Sequence, residues 1–238
     1  TGDVLLLERR EHDGRALAVD HRAADGNVPV YFAVRQLLAQ TKIPFRRNAL
    51  AAQVDLRADG EPDIAAIKTA AADKKVGAVL IQRSRGYGSR KAFGVADIEP
   101  IVKAVREVNP SARIMVDNCY GEFTNKEEPI ELGADITAGS LIKNAGGGFA
   151  PTGAYICGRK DLVERCAHQL TVPGLGDEMG SYAASYRPFF EGLFLAPHMT
   201  RQAVMAAEFC AAVFQKLGFA VTPEPGHLRT DLITTVAL

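Results

Sequence analysis

The sequence predicts an α/β domain built on a mostly parallel sheet. Three observations carry that expectation: short apolar runs of strand length, segments between them with apolar residues at helical spacing, and Gly, Pro or Asn-Pro breaks at the junctions. Leu50–Leu56 is expected as a strand, and Asp63–Ala72, rich in Ala, Ile and Lys, as a helix. Gly77–Gln82 (GAVLIQ) is a continuous apolar run, the pattern of a strand covered on both faces. Asp97 is placed to cap a helix over Ile98–Val108, where Ile98, Ile101, Val102 and Val105 share one face. Asn109-Pro110 ends that helix, because the residue before proline avoids the helical region. Further strands are expected at Arg113–Val116, Ala134–Ala138 and Gly153–Cys157, then helices at Lys160–Leu170 and over most of Phe189–Leu217. Gly218–Val221 and Leu232–Leu238 read as strands that begin another unit.

Residues 9–48 break the pattern. Seven arginines fall there and neither hydrophobic period persists; only Val30–Gln40 reads as a modest helix. The expected division is therefore an atypical segment 1–48, a main domain 49–217 and the start of a smaller C-terminal domain at 218–238. Thr1 in place of an initiator Met predicts a processed, trimmed or partial chain.

Composition narrows the function. The 28 basic and 28 acidic residues cancel, which argues against a surface covered in cations for nucleic acid. No apolar run approaches the ~18 residues that span a bilayer. The N-terminus lacks a basic segment and a long enough apolar core for a signal peptide, so a cytoplasmic protein without membrane attachment is expected. The four cysteines form no CxxC pair, and the five scattered histidines show no HxxxH spacing. Buried thiols in a reducing compartment, with no metal site, are expected.

Ligands of open parallel sheets bind outside the carboxyl ends of strands. Three expected strand ends carry reactive side chains: Gln82-Arg83-Ser84-Arg85-Gly86-Tyr87, Asp117-Asn118-Cys119-Tyr120 and Ser140-Leu141-Ile142-Lys143-Asn144. Pyridoxal phosphate (PLP) needs a lysine amine to bond its aldehyde and a carboxylate to keep its ring nitrogen protonated. Asp117 and Lys143 lie 26 residues apart, room for one strand–loop–strand excursion. Burial among cations or apolar groups would lower the lysine pKa and favour the amine. Spacing alone favours the plainer reading, a surface lysine and a strand-end acid capping a turn. Gly146-Gly147-Gly148 has no helix directly after it, and GxxxxGK[ST] is absent, so a P-loop is excluded; the glycines read as a flexible turn near the lysine.

The words around these residues are more specific. IQRSRGY (81–87), VDNCYGEF (116–123), EPIELGADITAGSLIKNAGGG (128–148), LTVPGLGDEMG (170–180) and EGLFLAPH (191–198) occur in this order. Together they resemble the methionine gamma-lyase-like group known as aluminium resistance proteins, in the Cys/Met-metabolism branch of fold-type I PLP enzymes. The resemblance covers residues 76–235. It implies a fold-type I major domain truncated at both ends, with PLP as cofactor and a sulfur amino acid such as methionine or cystathionine as substrate.

By the same resemblance Lys143 holds PLP and transfers the α-proton. Asp117 pairs with the ring nitrogen, Ser140 donates to the phosphate and Gln82 touches the ring or its phenolic oxygen. From the residues themselves, Tyr120 and Tyr87 read equally as acid/base or stacking groups or as packed aromatics, and Arg85 as a solvated salt bridge or a partner for a substrate carboxylate; Arg85 and Tyr87 are the candidates for binding substrate. A homodimer or homotetramer is implied. The competing expectation is a degenerate homologue that binds without turnover, or a metal-resistance role. Asp177-Glu178 is expected to start a helix, and Glu127-Glu128 to form a solvated turn.

Overall fold

The computed structural model describes residues 3–7, 30–34, 51–86, 88, 90–170, 175, 178 and 182–237. Its elements are β1 (Asp3–Leu7), β2 (Val30–Val34), β3 (Ala51–Val54), α1 (Ile64–Ala71), β4 (Val76–Gln82), α2 (Val95–Val108) and β5 (Arg113–Asp117). There follow β6 (Ile136–Ser140), a 3-10 turn (Asn144–Gly146), β7 (Ala154–Gly158), α3 (Lys160–Leu170), α4 (Arg187–Lys216), β8 (Val221–Thr222) and β9 (Thr235–Val236).

Seven strands form one sheet in the order β1-β7-β6-β5-β4-β2-β3. The centre is parallel: β4 pairs with β5, and β5 with β6. β7 runs against both β6 and β1, and β2 against both β4 and β3. β1, β3, β4, β5 and β6 therefore share a direction, giving a mostly parallel sheet whose two reversed strands flank the central three. An antiparallel neighbour needs only a short connection, whereas a parallel one needs a crossover. The chain thus passes from β6 to β7 without a crossover helix, and that connection carries Lys143.

The expected elements around the parallel centre are present. Val79 and Ile81 of β4 and Ile114 and Val116 of β5 are fully buried. They meet Ile98, Ile101, Val102 and Val105 of α2 and Ile67 of α1 in one apolar cluster. Burying a side chain of this size contributes about 1.5–3 kcal/mol, so this cluster is what fixes the strand ends. A second, smaller cluster of Leu141, Tyr155 and Phe189 joins the β6–β7 connection to α4.

Two local expectations are corrected. Val30–Val34 is a strand and not the start of a helix, with residues 35–40 outside the described set. Its Val-Tyr-Phe-Ala-Val run is β-branched and aromatic, and pairing with β4 on one side and β3 on the other satisfies its backbone. Helix α2 begins at Val95 with Gly94 as its cap, three residues before the expected start. Asp97 still caps it, from the third helical position: its Oδ2 accepts a 2.8 Å bond from the Gly94 N–H.

Asp135, just before β6, ties several elements together. Its Oδ2 accepts from the Ile114 N–H at 2.7 Å and from Arg106 of α2 at 2.6 Å, while Oδ1 accepts from Arg159 at 3.2 Å. Beyond the sheet, β8 and β9 pair antiparallel as a small separate unit. Among the described residues no helix is long and apolar enough to cross a membrane.

Candidate active site

The carboxyl ends of β4, β5 and β6 lie side by side, with Gln82 opposite Asp117 and Asp117 opposite Ala138. Ser140 ends β6 two residues beyond Ala138. Its Oγ accepts from the Ile142 N–H at 3.3 Å, and its carbonyl accepts from the Lys143 N–H at 3.2 Å, forming the turn that presents the lysine. After β5, Asp117 Oδ1 accepts from the Cys119 N–H at 3.1 Å. Tyr120 then adopts φ = 66°, a left-handed conformation costing a non-glycine residue about 1–2 kcal/mol. The turn delivers the Tyr120 ring beneath Lys143, whose Nζ lies 4.4 Å from the ring centroid.

The electrostatics correct one expectation. Burial pulls the Lys143 pKa down, but interactions with Cys119, Tyr120 and Asp117 outweigh it and hold the ammonium above its ordinary value. The Cys119 thiol is pushed up to about 12, mainly by burial, so it is neutral at physiological pH. The Asp117 carboxylate is the formal negative charge among these three, and we regard it as the real stabiliser of the ammonium. A lysine beside a carboxylate does not become a free amine through burial alone.

Gln82 is half-buried, and its side chain donates to the Ser84 carbonyl at 3.3 Å. Arg85 is turned to the small unit: its Nη2 donates to the Thr222 carbonyl at 2.7 Å and also to the Thr235 hydroxyl. A substrate carboxylate would have to compete with those partners for this guanidinium. Tyr87 and Asp177 lie outside the described residues. Lys143, Tyr120, Asp117, Ser140 and Gln82 are thus placed at the carboxyl ends of the central strands, and Arg85 points elsewhere.

The glycines after Lys143 do not form a free turn. Gly147 has φ = 55°, and a Cβ on it would lie 2.2 Å from the Gly192 carbonyl oxygen of α4. These glycines let the turn and the long helix touch backbone to backbone. Glu127 is exposed, as expected of a solvated turn, while Glu128 is partly exposed and also structural: its two oxygens accept from the Phe123 N–H at 2.8 Å and from Asn118 at 2.9 Å.

Sequence reasoning missed a buried polar layer beneath the site. Arg83 is wholly buried and donates to Phe93, Asn118, Thr124 and Asn125. Arg90 donates to the carbonyls of Gln82 at 2.8 Å and Ser84 at 2.6 Å, fixing the loop after β4. Glu122 is buried and accepts from the Tyr155 hydroxyl at 2.9 Å. The one available signal was that Arg83, Asn118 and Glu122 all stand inside the long motifs.

Burial raises the Glu122 pKa to about 7. A buried acid with a raised pKa stabilises the fold fully below its unfolded value, near 4.5, and loses that contribution as pH rises through about 7. The stability advantage of the natural chain over Glu122→Gln should therefore fall by roughly 3 kcal/mol between these limits. Urea unfolding of both forms across this range checks it, and a constant difference would contradict it.

The methionine gamma-lyase family model matches residues 45–238. The chain belongs to the methionine gamma-lyase family. A relative from Lactobacillus delbrueckii subsp. bulgaricus, described as an uncharacterized 33.9 kDa protein in the glnA 5' region, is 51% identical over 158 residues, 66% of this chain and 52% of that protein. Of the solved structures, a Clostridium acetobutylicum protein described as involved in aluminum resistance shares 48% identity, with a TM-score of 0.74 over 77% of this chain and 44% of that one. A carbon-sulfur lyase involved in aluminum resistance from Clostridium novyi NT shares 43% identity, with a TM-score of 0.74 over 78% of this chain and 44% of that one. The methionine gamma-lyase family therefore accounts for the sheet, which is that of the fold-type I PLP enzymes. The chain spans about half the length of these relatives. Among the described residues no group of three or more His, Cys, Asp or Glu is placed to hold a metal ion.

Proposed function

We propose that this chain carries the cofactor-binding core of a PLP-dependent carbon–sulfur lyase acting on a sulfur amino acid such as cystathionine or methionine. The observation that carries the reading is the placement of Lys143 Nζ over the Tyr120 ring with Asp117 beside it, at the ends of adjacent parallel strands. This donor set fits PLP: an amine for the aldehyde, a carboxylate for the ring nitrogen and, at Ser140, a hydroxyl for the phosphate. When bound, PLP supplies an electron sink for charge developing on the substrate α-carbon.

The chain's own residues do the rest. Asp117 would pair with the ring nitrogen and favour its protonated form, and Lys143 would hold the aldehyde. Lys143 Nζ, once deprotonated, is the group placed to take the proton from the substrate α-carbon. The Tyr120 ring supports the lysine, and its hydroxyl is a candidate acid for the departing thiol. Loss of the thiol leaves an enamine, and its imine tautomer takes up one water to give a 2-oxo acid and ammonia as the remaining products. A homodimer or homotetramer is part of the same proposal and rests on the resemblance; a cytoplasmic location is proposed with it from the composition. The engagement of Arg85 by β8 and β9 favours a second reading, a homologue that binds PLP without turnover.

Mixing the purified chain with PLP, reducing with borohydride and mapping the label tests the first step. The expected result is a visible absorption band and a label concentrated on Lys143, both lost in Lys143→Ala. A label spread over surface lysines overturns the reading. Thiol release from sulfur amino acids then separates the lyase from the non-catalytic homologue.

A further inference from the structure

Glu122 occupies an unusual position behind the lysine. It is 3% exposed and sits on the turn after β5. Its Oε1 accepts from the Tyr155 hydroxyl of β7 at 2.9 Å, and that hydroxyl accepts in turn from Asn118 at 3.3 Å. Its backbone carbonyl accepts from the side chain of Asn144 at 3.0 Å, and Asn144 is the residue after Lys143. Gly139 of β6 makes room for this arrangement, since a Cβ there would lie 2.3 Å from Glu122 Oε1.

Two buried oxygens in this cluster have no hydrogen-bond partner: Glu122 Oε2 and Asn144 Oδ1. Both are acceptors when the acid is ionised, and leaving buried acceptors unpaired is costly. A proton on Oε2 converts one of them into a donor for the other, on a residue Glu122 already engages through its backbone. We propose that Glu122 is a positioning residue for Lys143: as a neutral acid it bridges Tyr155 and Asn144 and so fixes the turn presenting the lysine, and its ionisation releases that turn. The inference deepens the lyase reading and rests on it for the role of Lys143.

The surroundings favour a neutral acid. Burial is the largest influence, and Glu128 adds to it. The Tyr155 hydrogen bond, a bond to the backbone of Glu122 and the Arg83 guanidinium oppose it without overcoming it. The remaining titratable neighbours are Cys119 on the same turn and Cys157 on β7, whose thiols Glu122 itself helps to hold neutral.

The test uses the chain without PLP. Acetylation of Lys143 by acetic anhydride, followed by mass spectrometry, is compared between the natural chain and Glu122→Gln at a series of pH values. Glutamine mimics the neutral acid, so the two should react alike below neutral pH. Above it, the natural chain should diverge severalfold from Glu122→Gln in relative Lys143 reactivity, as its turn loosens. Asn144→Ala should remove this contrast while an infrared carboxylic acid band, absent from Glu122→Gln, persists. A reactivity ratio constant with pH, or no acid band assignable to Glu122, would overturn the proposal. If Glu122→Gln does not fold, the natural chain is compared with Asn144→Ala instead: diverging pH profiles support the proposal and parallel ones refute it. Neither readout involves PLP, so a failed label on Lys143 would sink the lyase reading without deciding this one.

Discussion

Arg83→Ala is expected to destabilise the fold by on the order of 5 kcal/mol. The side chain is 0% exposed, and burial is the main influence lowering its pKa, so the charge survives only through its partners. Its Nε donates to the Phe93 carbonyl at 3.1 Å, Nη1 to Asn118 Oδ1 at 2.8 Å and Nη2 to Thr124 and Asn125 at 3.2 and 2.5 Å. Truncation leaves those acceptors without their donor and opens a cavity against Gly121, whose absent Cβ would otherwise strike the guanidinium stem at 2.4 Å. Arg83→Lys should recover less than half of the loss, because an ammonium cannot serve acceptors spread around a planar fork. Urea midpoints of the three forms measure this; a loss below about 2 kcal/mol for alanine would mean that water replaces the lost donors.

Gly192→Ala should cost about 3 kcal/mol or more, against the sign that helix propensity gives. Replacing glycine with alanine within a helix ordinarily gains about 1 kcal/mol. Here the new methyl would lie 2.1 Å from the Gly146 carbonyl oxygen and 2.9 Å from its carbon, atoms with no rotamer to move out of the way. Helix α4 would have to lift away from the 3-10 turn, disturbing the small cluster of Leu141, Tyr155 and Phe189. Because that turn follows Lys143 directly, the melting temperature and the specificity of PLP labelling should fall together. A variant of unchanged stability would show that the helix and turn are not in contact.

The parts of the fold visible in the sequence are those whose cause is local. Val79, Ile81, Ile114 and Val116 announce buried strands because apolar residues crowd a short run, and Ile98 to Val105 announce a helix by their spacing. Asp117 and Lys143 stand out because they sit at or just past the ends of such runs. Pairings between distant segments left no such trace. β2 is a strand because β3 and β4 accept it, and Gly147 needs to be small because of a helix residue far along the chain, Gly192. Arg85 illustrates the same limit at the site itself: its place in the motif suggested a substrate, while its partners come from β8 and β9.

Those partners have a consequence for biosynthesis. Ser84 donates to Asp231 across 147 residues, and Arg85 reaches Thr235 across 150. At about 5–20 residues per second, a ribosome finishes the second half of each pair on the order of ten seconds after the first. The loop beyond β4 must therefore pass through that interval with a guanidinium still lacking its acceptors, after α2 and the parallel strands have already emerged. In this chain the strand-end loop reaches its native bonding only when the C-terminal hairpin arrives, which makes that docking a late event in the birth of the site.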